Sequence, residues 1–395
     1  MEVRAGYKNS DIGMIPEGWE ARAVGEMGAV CAGKALAAKA PGLQRPYLRT
    51  KNVFDGRIDI TDVLQMPMTE SEFTRYCLRE GDVLLNEGQT LELVGRCAIY
   101  KGEYGEPCAI QNQLVRFRAR TGFSADFAAH LFRHCQQSGK FSKIALQTTS
   151  VAHLGVSRLE RLVLAWPEQA AEQEAIAEAL SDADALIESL EQLIAKKRQI
   201  KRGAMQELLT GKKRLPGFSG EWEVKRLGAI AALYQPVTIS ASQFSTSGYP
   251  VYGANGIVGF FDKFNHETWQ VTVTCRGSTC GTVNRTVEKC WITGNAMVVC
   301  CEGSNEIDKS YLYYLLSSKD LSVCITGTGQ PQIVRTPLAN FELEIPENVT
   351  EQTAIAAILS DMDAEIVALE DKLAKARQVK QGMMQELLTG RIRLV

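Results

Sequence analysis

The sequence contains no uninterrupted run of eighteen or more apolar residues, and its N-terminus has no charged-then-apolar leader. We therefore expect neither membrane insertion nor secretion, and we predict a cytoplasmic protein with no membrane partner. Its eleven cysteines are an odd number and form no CxxC pair, which favours small buried side chains over a disulfide or zinc framework. The formal net charge of -2 neither indicates nor excludes a nucleic-acid partner, because acidic surface can offset a basic groove.

A complete catalytic signature is also missing. The sequence has no GxxxxGKS/T phosphate loop, no N/D-P-P-Y/F motif for base methylation, no HExxH and no GxSxG. His130 and His134 lie four apart on a predicted helix, a spacing that suits a metal, but with no third ligand we favour packing. His153 and His266 have no recognisable partner in the sequence. We predict that the chain is not an enzyme by itself and binds no metal.

The most informative feature that is present is a long segment that occurs twice. Residues 172–215 and 351–394 align without a gap and are identical at 28 of 44 positions. Chance would give only a few identities, so the chain consists of two half-molecules in tandem. With 395 residues and 45% hydrophobic content it can bury a sizeable core, and the length alone suggests two or three domains. The function therefore has to use two similar halves.

Both copies carry apolar residues at alternating spacings of four and three. An apolar residue every 3.5 positions forms a narrow stripe along a helix that packs against a second helix. A helix from Glu172 to Leu209 would be about 57 Å long at 1.5 Å per residue, which indicates a strut and not a core element. The predicted seam residues are Ile176, Leu180, Ala183, Ile187, Leu190 and Ile194 in the first copy, and Ile355, Leu359, Met362, Ile366, Leu369 and Leu373 in the second.

Charge along the two segments predicts how they pair. Residues 172–191 carry seven acids and no base, whereas residues 192–214 carry eight bases and one acid, and the second copy has the same polarity. A parallel pair would place acid against acid, while an antiparallel pair places each acidic half against a basic half. We therefore predict an antiparallel coiled coil. The same charges complement the macrodipole of each helix, and both effects can act together.

The rest of the chain forms two globular parts with matching beginnings and matching strand-like runs. A helix-like stretch follows in each part, and a last strand ends in Pro167 or Pro346. The predicted fold class is α+β, with two mixed α/β domains separated by two long helices in a pseudo-two-fold symmetric tandem repeat. The predicted bounds are 1–171 and 215–350 for the two domains, 172–214 for the central helix and 351–395 for the C-terminal helix.

Each globular part also has four polar loops, and five of these eight loops contain glycine. They are residues 49–52, 86–89, 111–113 and 148–153 in the first part, and 252–256, 276–281, 293–295 and 327–332 in the second. Amide and guanidinium groups pair with base edges, and nearby Lys, Ser and Thr suit phosphates. An ordinary turn capped by Asn, Gln or Thr explains any single loop better. Four loops per domain on a duplicated scaffold favour nucleic-acid binding.

Taken together, these features resemble the specificity subunit of type I restriction-modification enzymes over nearly the whole chain. The motifs that carry the resemblance are Gln-Glu-Leu-Leu-Thr-Gly at 206–211 and 385–390, Ile15-Pro16-x-x-Trp19, Arg276-Gly277-Ser278, Ile292-Thr293-Gly294-Asn295-Ala296 and Gln330-Pro331-Gln332-Ile333. The resemblance implies two target-recognition domains, each reading one half of an asymmetric, gapped DNA sequence. It also implies a coiled coil that sets the spacing of the half-sites and docks modification subunits.

The resemblance assigns all catalysis to partner subunits. Two modification subunits would bind S-adenosylmethionine and methylate adenine, and restriction subunits would add ATP-driven translocation and cleavage with Mg²⁺. The expected partners are therefore double-stranded DNA, two modification subunits and restriction subunits, with no cofactor in this chain.

Transferred to the loops, the resemblance gives a set of expected DNA contacts in each domain. They are Lys51, Asn52, Gln89, Arg96, Asn112, Thr148, Thr149 and His153 in the first domain, and Asn255, Arg276, Ser278, Asn295, Gln330, Gln332 and Arg335 in the second. The first domain has Asn86-Glu87-Gly88 where the second has Arg276-Gly277, so the correspondence there stays open. Two other functions remain open as well: a two-headed protein-binding adaptor with a coiled-coil rod, and an enzyme acting on DNA through a site without a known motif.

Overall fold

The computed structural model describes residues 5–36, 40–147, 150–254, 256–327 and 331–394. By its internal contacts the chain divides into two units. Unit 1 comprises Met1–Ser189 and Leu373–Val395, and unit 2 comprises Leu190–Lys372. Each unit therefore joins one globular part to one half of each of two long helices. The domain bounds given above stay a prediction.

The globular part of unit 1 consists of short strands and short helices. The strands are β1 Tyr7–Ser10, β2 Gly13–Pro16, β3 Trp19–Ala23, β4 Gly28–Ala32, β5 Leu43–Leu48, β6 Leu64–Met68, β7 Val83–Asn86, β8 Gly88–Gln89, β9 Cys97–Ile99, β10 Ala109–Ile110, β11 Leu114–Ala119, β12 Leu146–Gln147, β13 Ala152–His153 and β14 Val163–Pro167. The helices are α1 Val24–Met27, α2 Glu70–Tyr76, α3 Ala125–Gln137, α4 Lys140–Ile144 and α5 Val156–Arg161, with a 3₁₀ turn at Thr50–Asn52.

An antiparallel sheet with the strand order β4-β11-β7-β9 lies at the centre of unit 1. Strand β7 is apolar on both faces: Val83 and Leu85 belong to the main core, while Leu84 belongs to a second core cluster. Helix α3 packs on the main core through Phe127 and Phe132, and its N-terminus is capped by the Ser124 side chain. Smaller sheets have the orders β10-β5-β6 and β12-β13-β8.

Long helix α6, Ala170–Leu208, begins in unit 1 and ends in unit 2. The globular part of unit 2 then repeats the plan of unit 1. Its strands are β15 Trp222–Arg226, β16 Ala232–Tyr234, β17 Tyr249–Gly253, β18 Gly256–Phe261, β19 Val271–Thr274, β20 Val283–Arg285, β21 Trp291–Ile292, β22 Ala296–Cys300, β23 Ile325–Thr326, β24 Gln332–Ile333 and β25 Glu342–Pro346. Its helices are α7 Leu227–Ile230, α8 Lys309–Ser317 and α9 Arg335–Ala339, with 3₁₀ turns at Ala241–Gln243 and Leu321–Cys324. Long helix α10, Val349–Leu387, follows and ends in unit 1.

The sheets of unit 2 match those of unit 1. The central sheet has the order β16-β22-β19-β20, and a smaller sheet has the order β18-β17-β21. In both units one pair of the smaller sheet is parallel, β5 with β10 and β17 with β21. In both units the strand that begins at a tryptophan, β3 at Trp19 and β15 at Trp222, pairs with the strand that precedes the long helix. The pairs are β3 with β14 and β15 with β25. The duplication therefore extends from the long helices to the globular parts.

In unit 2 the halves of α6 and α10 run antiparallel. Lys197 Nζ lies 2.6 Å from Glu365 Oε1, and just beyond the end of α6 the Arg214 guanidinium binds Glu351 at 2.6 Å (Nε) and 2.7 Å (NH2). Residue numbers rise along α6 as those of its partners fall along α10.

The other halves of the two helices pair in unit 1 in the same way. Asp184 binds Lys380, and the fully buried Glu172 accepts from both Trp19 Nε1, at 3.2 Å, and the guanidinium of Arg393. The numbering again runs in opposite senses. The predicted antiparallel pairing is therefore confirmed within each unit.

None of the twelve predicted seam residues belongs to the exposed class. Ile176, Leu180, Leu190, Ile194, Ile355, Leu359 and Ile366 are buried, and Ala183, Ile187, Met362, Leu369 and Leu373 are half-buried. Some of these residues also belong to domain cores: Ile176 and Leu180 lie in the main core of unit 1, and Ile355 and Leu359 in that of unit 2. The interpretation of the helices as struts outside any core was therefore wrong for their ends.

Glycine marks the end of both long helices. Gly211 and Gly390 follow the last turn with φ of +67°, a left-handed conformation that costs glycine little and that commonly ends a helix. A side chain at Gly390 would also collide with Pro16, 2.3 Å away. Among the described residues, no helix is long and apolar enough to cross a membrane.

Candidate nucleic-acid interface

Strand pairing shows which loop residues of the two units correspond. In unit 1, β13 pairs with β8 so that His153 lies opposite Gly88 and Ala152 opposite Gln89. In unit 2, an isolated bridge places Gln332 opposite Arg276. His153 therefore occupies the position of Gln332, and Gly88 that of Arg276, which resolves the correspondence that the sequence left open.

A third segment joins each of these pairs. The Glu87 amide donates to the Gln113 carbonyl at 2.9 Å in unit 1, and the Cys275 amide donates to the Asn295 carbonyl at 3.1 Å in unit 2. Gln113 is therefore the counterpart of Asn295. The sequence instead indicated the neighbouring residue, Asn112, as a DNA contact. The backbone N–H of Asn112 donates to the carbonyl of Lys34. The loop was recognisable from sequence, but the residue within it depends on the register.

The cluster in unit 1 is built around Gly88. A Cβ there would lie 2.5 Å from Gln113 Oε1 and 3.4 Å from the His153 ring, so the absent side chain leaves room for both neighbours. His153 Nδ1 lies 2.9 Å from Glu87 Oε2, and the His153 side chain is 36% exposed. With the neutral ring, Nδ1–H donates to Glu87 and Nε2 is left as an acceptor. Gln89 is half-buried on the same strand.

The cluster in unit 2 differs in chemistry. Arg276, Ser278 and Asn295 are exposed and Gln332 is half-buried. The pairings above bring Arg276, Asn295 and Gln332 together, and Ser278 lies in the turn after Arg276. This cluster therefore offers a guanidinium and two amides where unit 1 offers an imidazole and amides. Arg335 lines a cavity of about 510 Å³ with residues 228–233 and 300–304.

The last residue of β7 in unit 1 and of β19 in unit 2 hydrogen-bonds to a neighbouring loop. Asn86 Nδ2 donates to the Val53 carbonyl at 3.3 Å, and Thr274 Oγ1 donates to the Ala254 carbonyl. Asn86 pairs with Leu114 in the register, as Thr274 pairs with Ala296. These two side chains were not singled out from the sequence, because their role depends on a contact distant along the chain.

The loop held by Asn86 contains two of the expected contacts. Asn52 is 2% exposed; its amide donates to the carbonyls of Asp59 and Asp62 and accepts from the Arg49 amide. This burial departs from the expected role of Asn52 as a DNA contact, since the side chain shapes the loop. Lys51 is exposed and binds Asp62 at 2.7 Å, and this hydrogen bond is the main cause that lowers the pKa of Asp62.

Arg96, another expected contact, is stacked on an aromatic ring. Its guanidinium lies 5.0 Å from the centroid of Phe54, and that of Arg57 lies 5.0 Å from the same ring. Burial lowers the pKa of Arg96. Phe54 and Arg57 were not recognised from the sequence, although the aromatic residue with an arginine three positions later was visible there. Thr148, Thr149, Asn255 and Gln330 lie outside the described residues.

The histidines are placed differently from one another. His130 is buried with Nε2 3.1 Å from Ser181 Oγ, and burial lowers its pKa to about 4. Burial also lowers the pKa of His134. His266 Nε2 lies 2.9 Å from Tyr234 OH. His153 and His266 thus each have a hydrogen-bond partner, Glu87 and Tyr234, that the sequence did not reveal. Within the described parts of the chain, no group of three His, Cys, Asp or Glu side chains could hold a metal ion.

Comparison with known proteins gives consistent matches. The model of the type I restriction modification DNA specificity domain matches residues 16–199 and 219–377. The putative type I restriction enzyme MjaX specificity subunit of Methanocaldococcus jannaschii is 24% identical over 416 residues, which cover 98% of this chain and 97% of that protein.

Two solved structures share the fold. The S subunit of the type I restriction-modification system of M. genitalium matches with a TM-score of 0.63 at 15% identity, over 98% of both chains. A chain from a structure on complex assembly and conformational transition of the type I R-M system matches with a TM-score of 0.55 at 17% identity, over 96% of this chain and 99% of that one. The predicted fold class, two mixed α/β domains with two long antiparallel helices in tandem repeat, is confirmed.

Proposed function

Because the chain belongs to the family of type I restriction modification DNA specificity domains, we propose that it is the DNA sequence-recognition subunit of a type I restriction-modification complex. The observation that carries this proposal is the duplicated polar cluster. Each unit brings three loop segments together at the same strand ends, and the side chains at the equivalent positions differ between the units.

The two clusters read unlike half-sites of one asymmetric target. Arginine suits the O6 and N7 atoms of guanine, and asparagine and glutamine suit the N6 and N7 atoms of adenine. Unit 2 has all three groups in Arg276, Asn295 and Gln332, whereas unit 1 has Gln113 and His153 around Gly88. The long helices, which both units share, set the number of base pairs between the half-sites.

Catalysis belongs to other subunits. The sequence carries none of the catalytic signatures discussed above. One of the chains with the same fold belongs to a structure that describes the assembly of a type I R-M complex. The paired helices dock two modification subunits, which hold S-adenosylmethionine, and restriction subunits hold ATP and Mg²⁺. This chain then contributes the choice of DNA sequence and no reacting group.

Selection from a library of random DNA duplexes tests the proposal. The purified full chain should enrich one sequence of two unlike half-sites with a constant gap, and its affinity should fall steeply with added salt because phosphate contacts release counterions. Failure to enrich any sequence at low salt would contradict the proposal and favour a protein-binding adaptor.

Substitutions in unit 2 make the assignment residue-specific. Arg276→Ala or Gln332→Ala should weaken binding to a target with the correct base pair by about 1 to 3 kcal/mol. Either change should reduce the sequence specificity at one half-site only. Arg226→Ala is the matched control, since Arg226 is exposed on β15 and pairs only loosely with Glu342 at 3.9 Å. Unchanged selection with both cluster variants would remove these residues from the reading surface.

A further inference from the structure

A carboxylate in unit 1 joins the globular part to both long helices. Asp184 of α6 accepts from Arg133 NH1 of α3 at 2.7 Å and also binds Lys380 of α10. The side chains of Arg133 and Lys380 are 11% and 9% exposed. Burial raises the pKa of Asp184, but Arg133 and Lys380 outweigh this effect and hold it below its usual range. Asp184 therefore stays ionised between its two cationic partners.

Unit 2 contains the same arrangement with a different partner from the globular part. Asp363 of α10 accepts from Tyr314 OH of α8 at 2.8 Å and binds Lys201 of α6. The Lys201 ammonium lies 5.2 Å from the centroid of the Tyr314 ring, and Tyr314 is 2% exposed. One carboxylate again connects three elements.

A serine one turn earlier makes a second contact in both units. His130 Nε2 lies 3.1 Å from Ser181 Oγ, and Tyr314 OH lies 3.3 Å from Ser360 Oγ. His130 and Tyr314 are both the sixth residue after the N-cap of their helix. They therefore hold the same place on α3 and α8.

The duplicated sequence separates a constant part of this arrangement from a variable part. The Ser-x-x-Asp pair and the lysine are identical in both copies of the long segment, as Ser181, Asp184 and Lys201 and as Ser360, Asp363 and Lys380. The contacting residues of the globular parts differ, an imidazole and a guanidinium in unit 1 and a phenol in unit 2. The helices thus present one standard attachment point to two unlike domains.

In unit 1 the attachment continues toward the candidate interface. Arg133 Nε also binds Asp55 Oδ1 at 2.9 Å, in the loop that carries Lys51 and Phe54. A Cβ at Gly56 would lie 2.9 Å from this guanidinium, so the loop lies directly on Arg133. A continuous series of ion pairs therefore leads from Lys380 of α10 to the loop that carries Lys51, an expected DNA contact.

We propose that Asp184 and Asp363, each with its lysine, are positioning residues that fix the angle of a recognition domain on the helices of its own unit and thereby restrict the gap between half-sites. This inference rests on the proposed function. One base pair more in the gap moves a half-site by about 3.4 Å along the duplex and about 34° around it. A domain held at one angle rejects such a shift, whereas a domain that can rock accepts it.

Asp184→Asn and Asp363→Asn test this role in the full chain. Asp182→Asn and Asp361→Asn are matched controls, because these acids lie two residues earlier on the same helices and are exposed. After selection from random duplexes, each protein is measured on its target and on targets with the gap changed by one base pair. We expect the Asp184 and Asp363 variants to lose about five-fold or more of the gap preference, with both half-site sequences unchanged and the controls like wild type.

The possible outcomes separate the two proposals. If wild type enriches no sequence, the proposed function fails and this inference with it. If the variants unfold at a lower temperature but keep the gap preference of the controls, the carboxylates are structural only and the inference is overturned. Should Asp184→Asn lose its far-ultraviolet circular dichroism, Lys380→Arg replaces it, since this change keeps the charge but moves it relative to Asp184; an unaltered gap preference would again overturn the inference.

Discussion

At the scale of single residues, the chemistry of the polar loops was predictable but their geometry was not. The loop at 111–113 was recognised from its amides, yet only the hydrogen bond from Glu87 to the Gln113 carbonyl shows which residue corresponds to Asn295. Asn52 has the composition of a reading residue and is buried by contacts seven and ten residues away. Side-chain direction depends on such contacts, which a local pattern does not contain.

His130 gives a prediction on pH. Its pKa is lowered to about 4 from 6.5 by burial, with Arg133 and Lys380 adding to the effect and Asp184 opposing it. Between pH 6.5 and 4 the unfolded chain therefore binds a proton at this histidine that the folded chain does not bind. The free energy of unfolding of unit 1 should fall by up to about 3 kcal/mol as the pH falls through this window. Thermal unfolding midpoints at pH 7 and pH 4.5 measure the loss.

His130→Gln is the comparison for this prediction, because glutamine can still meet Ser181 but does not titrate. The drop in the unfolding midpoint between pH 7 and pH 4.5 should be smaller in this variant than in wild type. The counterpart in unit 2, Tyr314, has its pKa raised to about 12 by burial and takes no part in this window. Equal drops in both proteins would show that other groups govern the acid response.

At the scale of elements, the long helices were predictable because their signals add up over many residues. Seven acids lie in one half of the duplicated segment and eight bases in the other, so only an antiparallel pair of helices places opposite charges together. The short strands β8, β13 and β24 have two residues each, and a periodicity cannot be recognised in two residues. The contacts of Asp184 with Arg133 and of Asp363 with Tyr314 were not predicted, because these partners lie in the globular parts, far away in sequence.

Gly203 and Gly382 lie inside the long helices and give an element-scale prediction. A Cβ at either position would meet no atom within 4 Å. Alanine should therefore stabilise its helix by about 0.5 to 1 kcal/mol, because it loses less backbone entropy than glycine. Gly211→Ala is the contrasting variant, since its φ of +67° and the Trp222 ring 3.2 Å away should make that change destabilising. A lower unfolding midpoint for Gly203→Ala or Gly382→Ala would show that the helix needs glycine there.

At the scale of the whole molecule, the tandem repeat itself shapes the argument. The two units share their sheet orders, their helix pairing and the Ser-x-x-Asp attachment, and they differ where the candidate interface lies. Evolution that keeps the scaffold constant and lets the two recognition clusters diverge would produce this combination of shared and differing parts. The sequence showed the repeat residue by residue in the helices, whereas in the globular parts it showed only matching beginnings and strand-like runs. The register was needed there to pair individual residues, because few of them are identical.

The helices can be shortened without disturbing either attachment point, which allows a test of their role in spacing. Removing residues 187–193 from α6 and 366–372 from α10 deletes one heptad from each, so the seam keeps its 3.5-residue repeat. Because both deletions lie between the two attachment points, Asp184 stays opposite Lys380 and Asp363 stays opposite Lys201. Each helix becomes about 10 Å shorter at 1.5 Å per residue.

Selection from random duplexes should then no longer return the two half-sites with the original gap, because the attachment points lie about 10 Å closer together along the helices. A gap shorter by three base pairs would match this length but would turn one half-site by about 100° around the duplex. Deleting the heptad from α6 alone is the control, because it shifts one helix against the other and should abolish folding or binding. A doubly shortened chain that folds, selects the same half-sites and keeps the original gap would show that the helices do not set the spacing.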